Sequence, residues 1–348
     1  MLINILSFLL VFTFIALTHE IGHLIAAKRA GIRVYELALG FGPRLISFSR
    51  NNTIYAINLI PILGYVRIAG EGESAEDAAC PDNEKYSTKP PAKKFSALAA
   101  GPLTNLLSAF ILLALLFMAT GIPAGLSNEI GAITKNSPAE KAGLKVGDKI
   151  LSLNSQKSMT MEKIIEYVHN NPGQQLTLTV VRDRAEIVIR ATPKFNDKMK
   201  IGLLGFSPNP VYARVNPLQA IAAGLAQTLS MSLLVLGILG QLIVGAVSLT
   251  DLAGPVGIAQ IAGKYAQSGL ISLIQFTAFL SVNVGVLNLL PIPALDGGRL
   301  VFVLLEWLRR KPVRQELENK INYWGMMALL GLMALITLND LVRLFASR

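Results

Sequence analysis

The residues best suited to chemistry are His19-Glu20-Ile21-Gly22-His23. Side chains four residues apart share one face of a helix, so both imidazoles can reach a single zinc ion. Glu20 sits one position round, close enough to act as general base on a zinc-activated water. The metal brings the pKa of such a water down to about 7, which makes hydroxide available at neutral pH. The chain has three histidines, and two of them fall in this motif. A catalytic zinc needs a third protein ligand besides water. The candidate is Asp296, in Asn288-Leu-Leu-Pro-Ile-Pro-Ala-Leu-Asp296-Gly-Gly298. Pro291 and Pro293 break a helix there, and Gly297 and Gly298 allow close backbone approach. Alone, this segment also reads as a helix-ending turn with a solvated carboxylate; beside HExxH it supplies the missing ligand.

These residues sit at the ends of apolar runs. Of 348 residues, 52% are hydrophobic and 16% charged, against about a quarter charged in a typical soluble domain. No Asp, Glu, Lys or Arg occurs in Leu2–Thr18, Phe95–Asn128, Val215–Thr250, Tyr265–Leu295 or Ile321–Asn339, and a spanning helix needs roughly 17–25 such residues. An ionisable His–Glu–His trio at the end of such a helix costs roughly 2.5–3.5 kcal/mol per charge at mid-membrane, which marks a functional site. The net charge of +10 does not indicate nucleic-acid binding, because the basic residues flank the apolar runs and no nucleic-acid motif accompanies them. No Lys or Arg precedes Leu2–Leu17 and no small-residue cleavage site follows it, so the segment is expected to stay as a helix. The single cysteine, Cys80, excludes an internal disulfide.

The expected fold is membrane α-helical: four transmembrane helices near 2–26, 95–120, 270–292 and 322–345, a membrane-interface β-hairpin, and one inserted α+β domain. The expected division is 1–120, 121–206, 207–268 and 269–348. Residues 35–70 alternate apolar and polar between Gly40, Gly42, Pro43, Asn51, Asn52, Pro61 and Gly64, which is hairpin patterning. Residues 127–203 carry strand-like runs at Lys149–Asn154, Leu176–Arg182 and Ala185–Ala191 and a short amphipathic helix at Glu162–His169. Lys28, Arg29, Arg33, Lys89, Lys93 and Lys94, and later Arg299, Arg309, Arg310, Lys311 and Arg314, mark the cytoplasmic side. Asp296 must then end an inward-running helix at the depth of His19 and His23. With the inserted domain outside, a single crossing by Val215–Thr250 would put it on the wrong face, so that segment is expected to be interfacial or re-entrant.

The paired motifs resemble the site-2 protease family of intramembrane metalloproteases. Ile130–Ile133 and Asn136–Asn154 (NSPAEKAGLKVGDKILSLN) resemble a PDZ domain of the bacterial regulators of sigma-factor signalling. Gly40–Arg44, Gly64–Glu71, Ala100–Asn105 and Gly254–Gly257 are similar to further family segments, so the likeness covers essentially the whole chain. Some family members carry two PDZ domains; this chain has room for one. The resemblance implies Zn2+ held by His19, His23 and Asp296, with Glu20 as catalytic base. It implies that Asn288 and Asn283 contact the substrate backbone or the oxyanion, and that the edge strand at Gly64, Tyr65 and Val66 receives substrate as an added strand. The implied partners are single-pass membrane proteins, such as anti-sigma factors or remnant signal peptides. Peptide C-termini would bind at the PDZ groove, whose carboxylate loop matches Leu203–Phe206. The implied location is the bacterial inner membrane, with the site toward the cytoplasm and the PDZ domain outside. A non-enzymatic PDZ scaffold is the alternative, against which an intact Glu20 argues; a zinc transporter or sensor lacks further His, Asp or Glu along its spans.

Overall fold

The computed structural model describes residues 2–71, 75–197, 199–248 and 252–346, leaving out the side chains of Pro61, Ile62, Ala75 and Ala346. Two compact units emerge, one of 1–117 with 218–348 and one of 118–217.

Helix α1 (Leu2–Arg29) buries Ser7, Val11, Ile15 and Gly22 along one stripe and leaves Leu2, Leu6 and Leu10 exposed, as expected of a helix with one face on protein and the other on lipid. Lys28 and Arg29 complement its C-terminal dipole, and Gly31 leaves it at φ 71°. Strands β1 (Val34–Arg50) and β2 (Thr53–Ile68) follow, joined through Asn51 and Asn52. Both asparagines have positive φ, 50° and 58°, which a two-residue I′ hairpin turn requires. The outer halves pair from Arg50↔Thr53 to Arg44↔Asn58. The end of β2 comes back to pair with the start of β1, from Leu39↔Gly64 to Val34↔Ile68, and residues 54–57 flank the other side of 36–39. Residues 64–68 therefore form an edge among the described strands. Arg44 and Arg67 pair with the buried Glu36. After α2 (Ala75–Ala79), helix α3 (Pro91–Thr120) opens on a proline, which has no N–H to waste in the first turn.

The unit of 118–217 contains β3 (Ile122–Ile133), α4 (Pro138–Lys141), β4 (Lys149–Leu153), β5 (Gln156–Lys157), α5 (Met161–Asn170), β6 (Leu176–Arg182), β7 (Ala185–Ala191), β8 (Lys194–Asn196), β9 (Ile201–Leu203) and β10 (Phe206–Ala213). The main sheet runs β10-β3-β4-β6-β7. Alternate residues Leu176, Leu178 and Val180 of β6 enter a core with Ile130, Ile150, Leu153, Met161, Ile164 and Leu204. Ser137 caps α4 by accepting the Glu140 N–H, and Glu140 accepts the Asn136 N–H in return. Residue 206 opens β10, which pairs with β3, so this unit runs on past the expected boundary at 206. In the Leu203–Phe206 loop, the Leu204 carbonyl accepts from Ala139 and the Gly205 carbonyl from Thr134.

Asp148 is buried in this unit and receives two hydrogen bonds from Arg182, at 2.7 and 2.8 Å. Those bonds hold its carboxyl below the usual carboxylate range. A depressed folded-state pKa gives stability that is complete above the unfolded value, near 3.9, and is lost as pH falls through the folded one. Replacing Arg182 by Met strands a buried carboxylate and is expected to cost about 3 kcal/mol, with the loss shrinking on acidification. Hydrogen exchange across β4 and β6 at pH 7 and pH 3 reads this out, and an equal loss at both pH values would count against it.

Back in the first unit come α6 (Pro217–Ile243), α7 (Pro255–Gln267), α8 (Leu270–Leu289), α9 (Asp296–Arg309) and α10 (Gln315–Ala346). Among the described residues five helices, α1, α3, α6, α8 and α10, are long and apolar enough to cross a membrane, one more than the four expected. The difference is α6. The segment Val215–Thr250 contains a continuous helix of 27 residues, and Gly224 lets α6 close on Ala114 of α3. Residues 249 and 250 lie outside the described residues.

Candidate metal centre and active site

His19 and His23 project from the C-terminal half of α1, and Asp296 is the first residue of α9. A carboxylate at a helix N-terminus faces unpaired N–H groups and the positive end of the dipole. Its position depends on the break between α8 and α9. Ala294 is left-handed, with φ 74°, and its N–H donates to Asn322 of α10 at 3.1 Å. A Cβ on Gly297 would lie 2.6 Å from the Leu289 oxygen. One on Gly298 would lie 2.8 Å from the Ile292 carbonyl carbon, and one on Gly325 of α10 would lie 2.9 Å from that of Pro293. The turn can therefore be this tight only with glycine at those positions.

The three side chains meet. His19 Nε2 is 3.1 Å from His23 Nε2 and 3.1 Å from Asp296 Oδ2, and His23 Nε2 is 3.4 Å from the same oxygen. Ligands about 2.0–2.1 Å from a tetrahedral zinc stand about 3.3 Å apart, so this N, N, O donor set fits zinc in size and in chemistry. Among the described residues no other group of His, Cys, Asp and Glu converges this way. Glu20 lies alongside. It shares the cavity wall with Val66, and its Cγ would be 3.0 Å from a Cβ on Gly64. A cavity of about 200 Å³ opens here, lined by the three donors, Glu20, the strand residues Gly64, Tyr65, Val66 and Ile68, and Ala97 and Leu98 of α3.

Asn283 and Asn288, expected at the substrate, lie elsewhere on α8. Their amide nitrogens donate to Phe279 at 2.7 Å and Val284 at 3.0 Å, and neither side chain lines this cavity. Helix α3 contributes what the motifs do not reveal. His23 Nδ1 donates to the Ala97 carbonyl at 2.8 Å, and His19 Nδ1 lies 3.2 Å from the Asn105 amide. Gly101 packs flat against the His23 ring, and Gly22 of α1 against the Ala100 carbonyl. Gly101 and Asn105 belong to Ala100–Asn105, a segment noted for its family likeness and given no role. The available signal was two glycines and a buried-type amide in otherwise featureless spans.

Beside the cavity, Arg299, one turn beyond Asp296, pairs with Glu71 at 2.5 Å and Glu318 at 3.5 Å and lies over the Tyr86 ring. Burial opposes its charge, but Glu71, Tyr86 and Glu318 more than offset that and hold the guanidinium above its ordinary value. The pairs tie residue 71, just beyond β2, to α9 and α10 at the rim.

Residues 7–332 match peptidase family M50. The chain is 33% identical to the regulator of sigma-W protease RasP of Bacillus subtilis, over 98% of this chain and 99% of that one. It is 34% identical to a Clostridium acetobutylicum protein named as a zinc metalloprotease, over 97% of each. The Bacillus alignment runs over 423 positions and the Clostridium alignment over 339, so the Bacillus protein carries segments absent here. The PDZ domain of an SdrC-like protein from Listeria innocua aligns with 26% of this chain and 99% of its own, at 18% identity and a TM-score of 0.22. A donor set sized for zinc beside a glutamate, its two histidines in a helix apolar enough to cross a membrane, is joined by a family match over nearly the whole chain: the protein belongs to peptidase family M50, the site-2 proteases, and is a zinc metalloendopeptidase.

Proposed function

We propose that this protease hydrolyses single-pass membrane proteins, anti-sigma factors or remnant signal peptides, at a site on the cytoplasmic side of the bacterial inner membrane. The observation that carries this reading is the meeting of His19 Nε2, His23 Nε2 and Asp296 Oδ2 beside Glu20 at one end of the apolar helices. His19, His23 and Asp296 hold the ion. Zinc bound there supplies Lewis-acid activation of water and of the scissile carbonyl. Glu20 takes a proton from the attacking water onto its carboxylate and passes it to the departing amine nitrogen, which ends the cycle with the base ionised again. The substrate helix has to unwind before a peptide bond can reach this chemistry, and the edge at Gly64–Ile68 offers backbone partners for the extended segment. Asn288 and Asn283 act there only if their amides leave Val284 and Phe279. In this reading the 118–217 unit is of PDZ type and lies outside, and its groove takes a peptide C-terminus.

The same reading has four crossings, by α1, α3, α8 and α10, with the segment from α6 to α7 leaving and rejoining one face. Gly224 at the start of α6 packs on Ala114, thirteen residues beyond Gly101, which touches His23. Gly263 of α7 packs on Asn4, fifteen residues before His19, and Gly254 on Asp340, fifteen residues beyond Gly325 at the Asp296 turn. At 1.5 Å per residue each contact lies roughly 20 Å from the site along its helix. These contacts support a segment from Gly224 to Gly263 that begins and ends at the far face, and the basic residues flanking the site end support a cytoplasmic site. With Cys80→Ser as background, cysteines placed at Ser207 and Ser268 should both react with an impermeant reagent from outside; labelling from opposite faces would sink the four-crossing topology. For the activity, protein purified in detergent should cleave a single-pass substrate, lose that activity to a chelator and regain it with zinc. Substrate bound but never cut would favour the PDZ scaffold instead.

A further inference from the structure

A ring that presents Nε2 to a metal must carry its hydrogen on Nδ1, and that hydrogen needs an acceptor. His23 has one in the Ala97 carbonyl. For His19 the facing group is the Asn105 carboxamide, fully buried where α1, α3 and α8 meet. Its Nδ2 is 3.2 Å from His19 Nδ1, and its Oδ1 is 2.9 Å from Thr18 Oγ1. The Asn105 backbone carbonyl accepts from Ser281 of α8 at 2.9 Å, and the Ser281 hydroxyl meets Ser108 at 2.9 Å, so the residue is held at this spot from a third helix.

We propose that Asn105, backed by Thr18, is the positioning residue that selects the metal-binding tautomer of His19; the proposal rests on the zinc reading of the cluster. The two ends of a carboxamide are nearly the same size, and a half-turn exchanges them in place. With nitrogen toward the ring, Nδ2 donates to a bare Nδ1. The ring hydrogen then sits on Nε2, 3.1 Å from Asp296 Oδ2, where it occupies the lone-pair direction that a metal needs. With oxygen toward the ring, Asn105 accepts the Nδ1 hydrogen and Nε2 is bare. Nδ2 now donates to Thr18 Oγ1, whose own hydrogen goes to the Phe14 or Ile15 carbonyl, each at 3.0 Å. In that second arrangement the ring hydrogen, one amide hydrogen and the hydroxyl hydrogen each have an acceptor. Thr18 tolerates both orientations because a hydroxyl both donates and accepts. The amide is thus a two-position latch on His19, while His23 is fixed in the binding tautomer by a backbone carbonyl.

The test is zinc affinity of the full-length protein in detergent, by chelator competition, with the visible spectrum of the cobalt-substituted protein as a second readout. Asn105→Leu, which fills the space and removes the acceptor, should weaken zinc 10–100-fold, the range typical of partners behind a metal ligand. Asn105→Asp, an acceptor at the same place, should stay within a few-fold of wild type and keep the cobalt spectrum. Thr18→Val should weaken binding less than Asn105→Leu, with Thr18→Ser restoring it. Wild-type affinity in Asn105→Leu, or equal loss in the Leu and Asp variants with unchanged thermal unfolding of the zinc-free proteins, overturns the proposal. If Asn105→Leu does not fold, the Thr18 pair decides alone: equal affinities for Val and Ser overturn it. A failure of the zinc reading itself looks different, because wild type would then bind no more zinc than His19→Ala.

Discussion

Glu20→Gln is expected to abolish cleavage while leaving a full complement of zinc. General acid–base groups typically contribute 10²–10⁴-fold, and here one carboxylate has to serve both proton transfers, so a drop of at least about a thousandfold is expected. The metal is spared because Glu20 is not one of the three converging donors. Glutamine has the same shape and keeps the close approach to Gly64 of the strand edge. What glutamine lacks is a basic oxygen. Asp296→Asn makes the contrast: it removes the anionic donor and should release zinc along with activity. Single-turnover cleavage and metal content, measured on the same preparations, separate the two. A Glu20→Gln protein that holds zinc and cuts at the wild-type rate would mean that another group moves the proton.

Strong periodicity made much of this fold legible. The strands Leu176–Arg182 and Ala185–Ala191 fall where alternation put them, and Met161–Asn170 extends the expected helix by one residue at each end. Asn51-Asn52 fixes the hairpin turn because two adjacent left-handed residues are costly for most other side chains. The donors were legible for a different reason. Histidines and a carboxylate are expensive at the end of an apolar helix, so their presence needs an explanation. What stayed hidden has no local signature. The return pairing of Gly64–Ile68 with 34–39 depends on a strand curling back along its own hairpin. The groups behind the two imidazoles, the Ala97 carbonyl and the Asn105 carboxamide, come from a helix more than seventy residues away, and one is a backbone carbonyl that any residue type could supply. Asn283 and Asn288 illustrate the opposite problem. An amide in an apolar helix invites a functional role, yet each bonds a carbonyl four residues back on its own helix. Composition cannot tell an amide aimed at substrate from one folded onto its own backbone.

Gly101→Ala, one added methyl on a helix that should welcome it, is expected to cost the metal. In a helix interior alanine is favoured over glycine by about 1 kcal/mol, so the substitution should make α3 intrinsically more stable. The obstacle is His23. A Cβ at position 101 would overlap the ring, 2.6 Å from Cε1 and 2.7 Å from Cδ2, with Nε2 closest of all. The ring cannot swing aside without giving up the 2.8 Å bond from Nδ1 to the Ala97 carbonyl, and α1 cannot back away without giving up the close packing of Gly22 on Ala100. Whichever contact yields, Nε2 leaves the position it shares with His19 and Asp296. Expected are substoichiometric zinc, cleavage near background and unchanged helical content by circular dichroism. Gly331→Ala in α10 is the matched control, since a methyl group there meets nothing within 4 Å, and it should keep both zinc and activity. Normal zinc and activity in Gly101→Ala would mean that α1 and α3 can separate at the site without cost. The closeness of those helices would then have no bearing on how the metal is held.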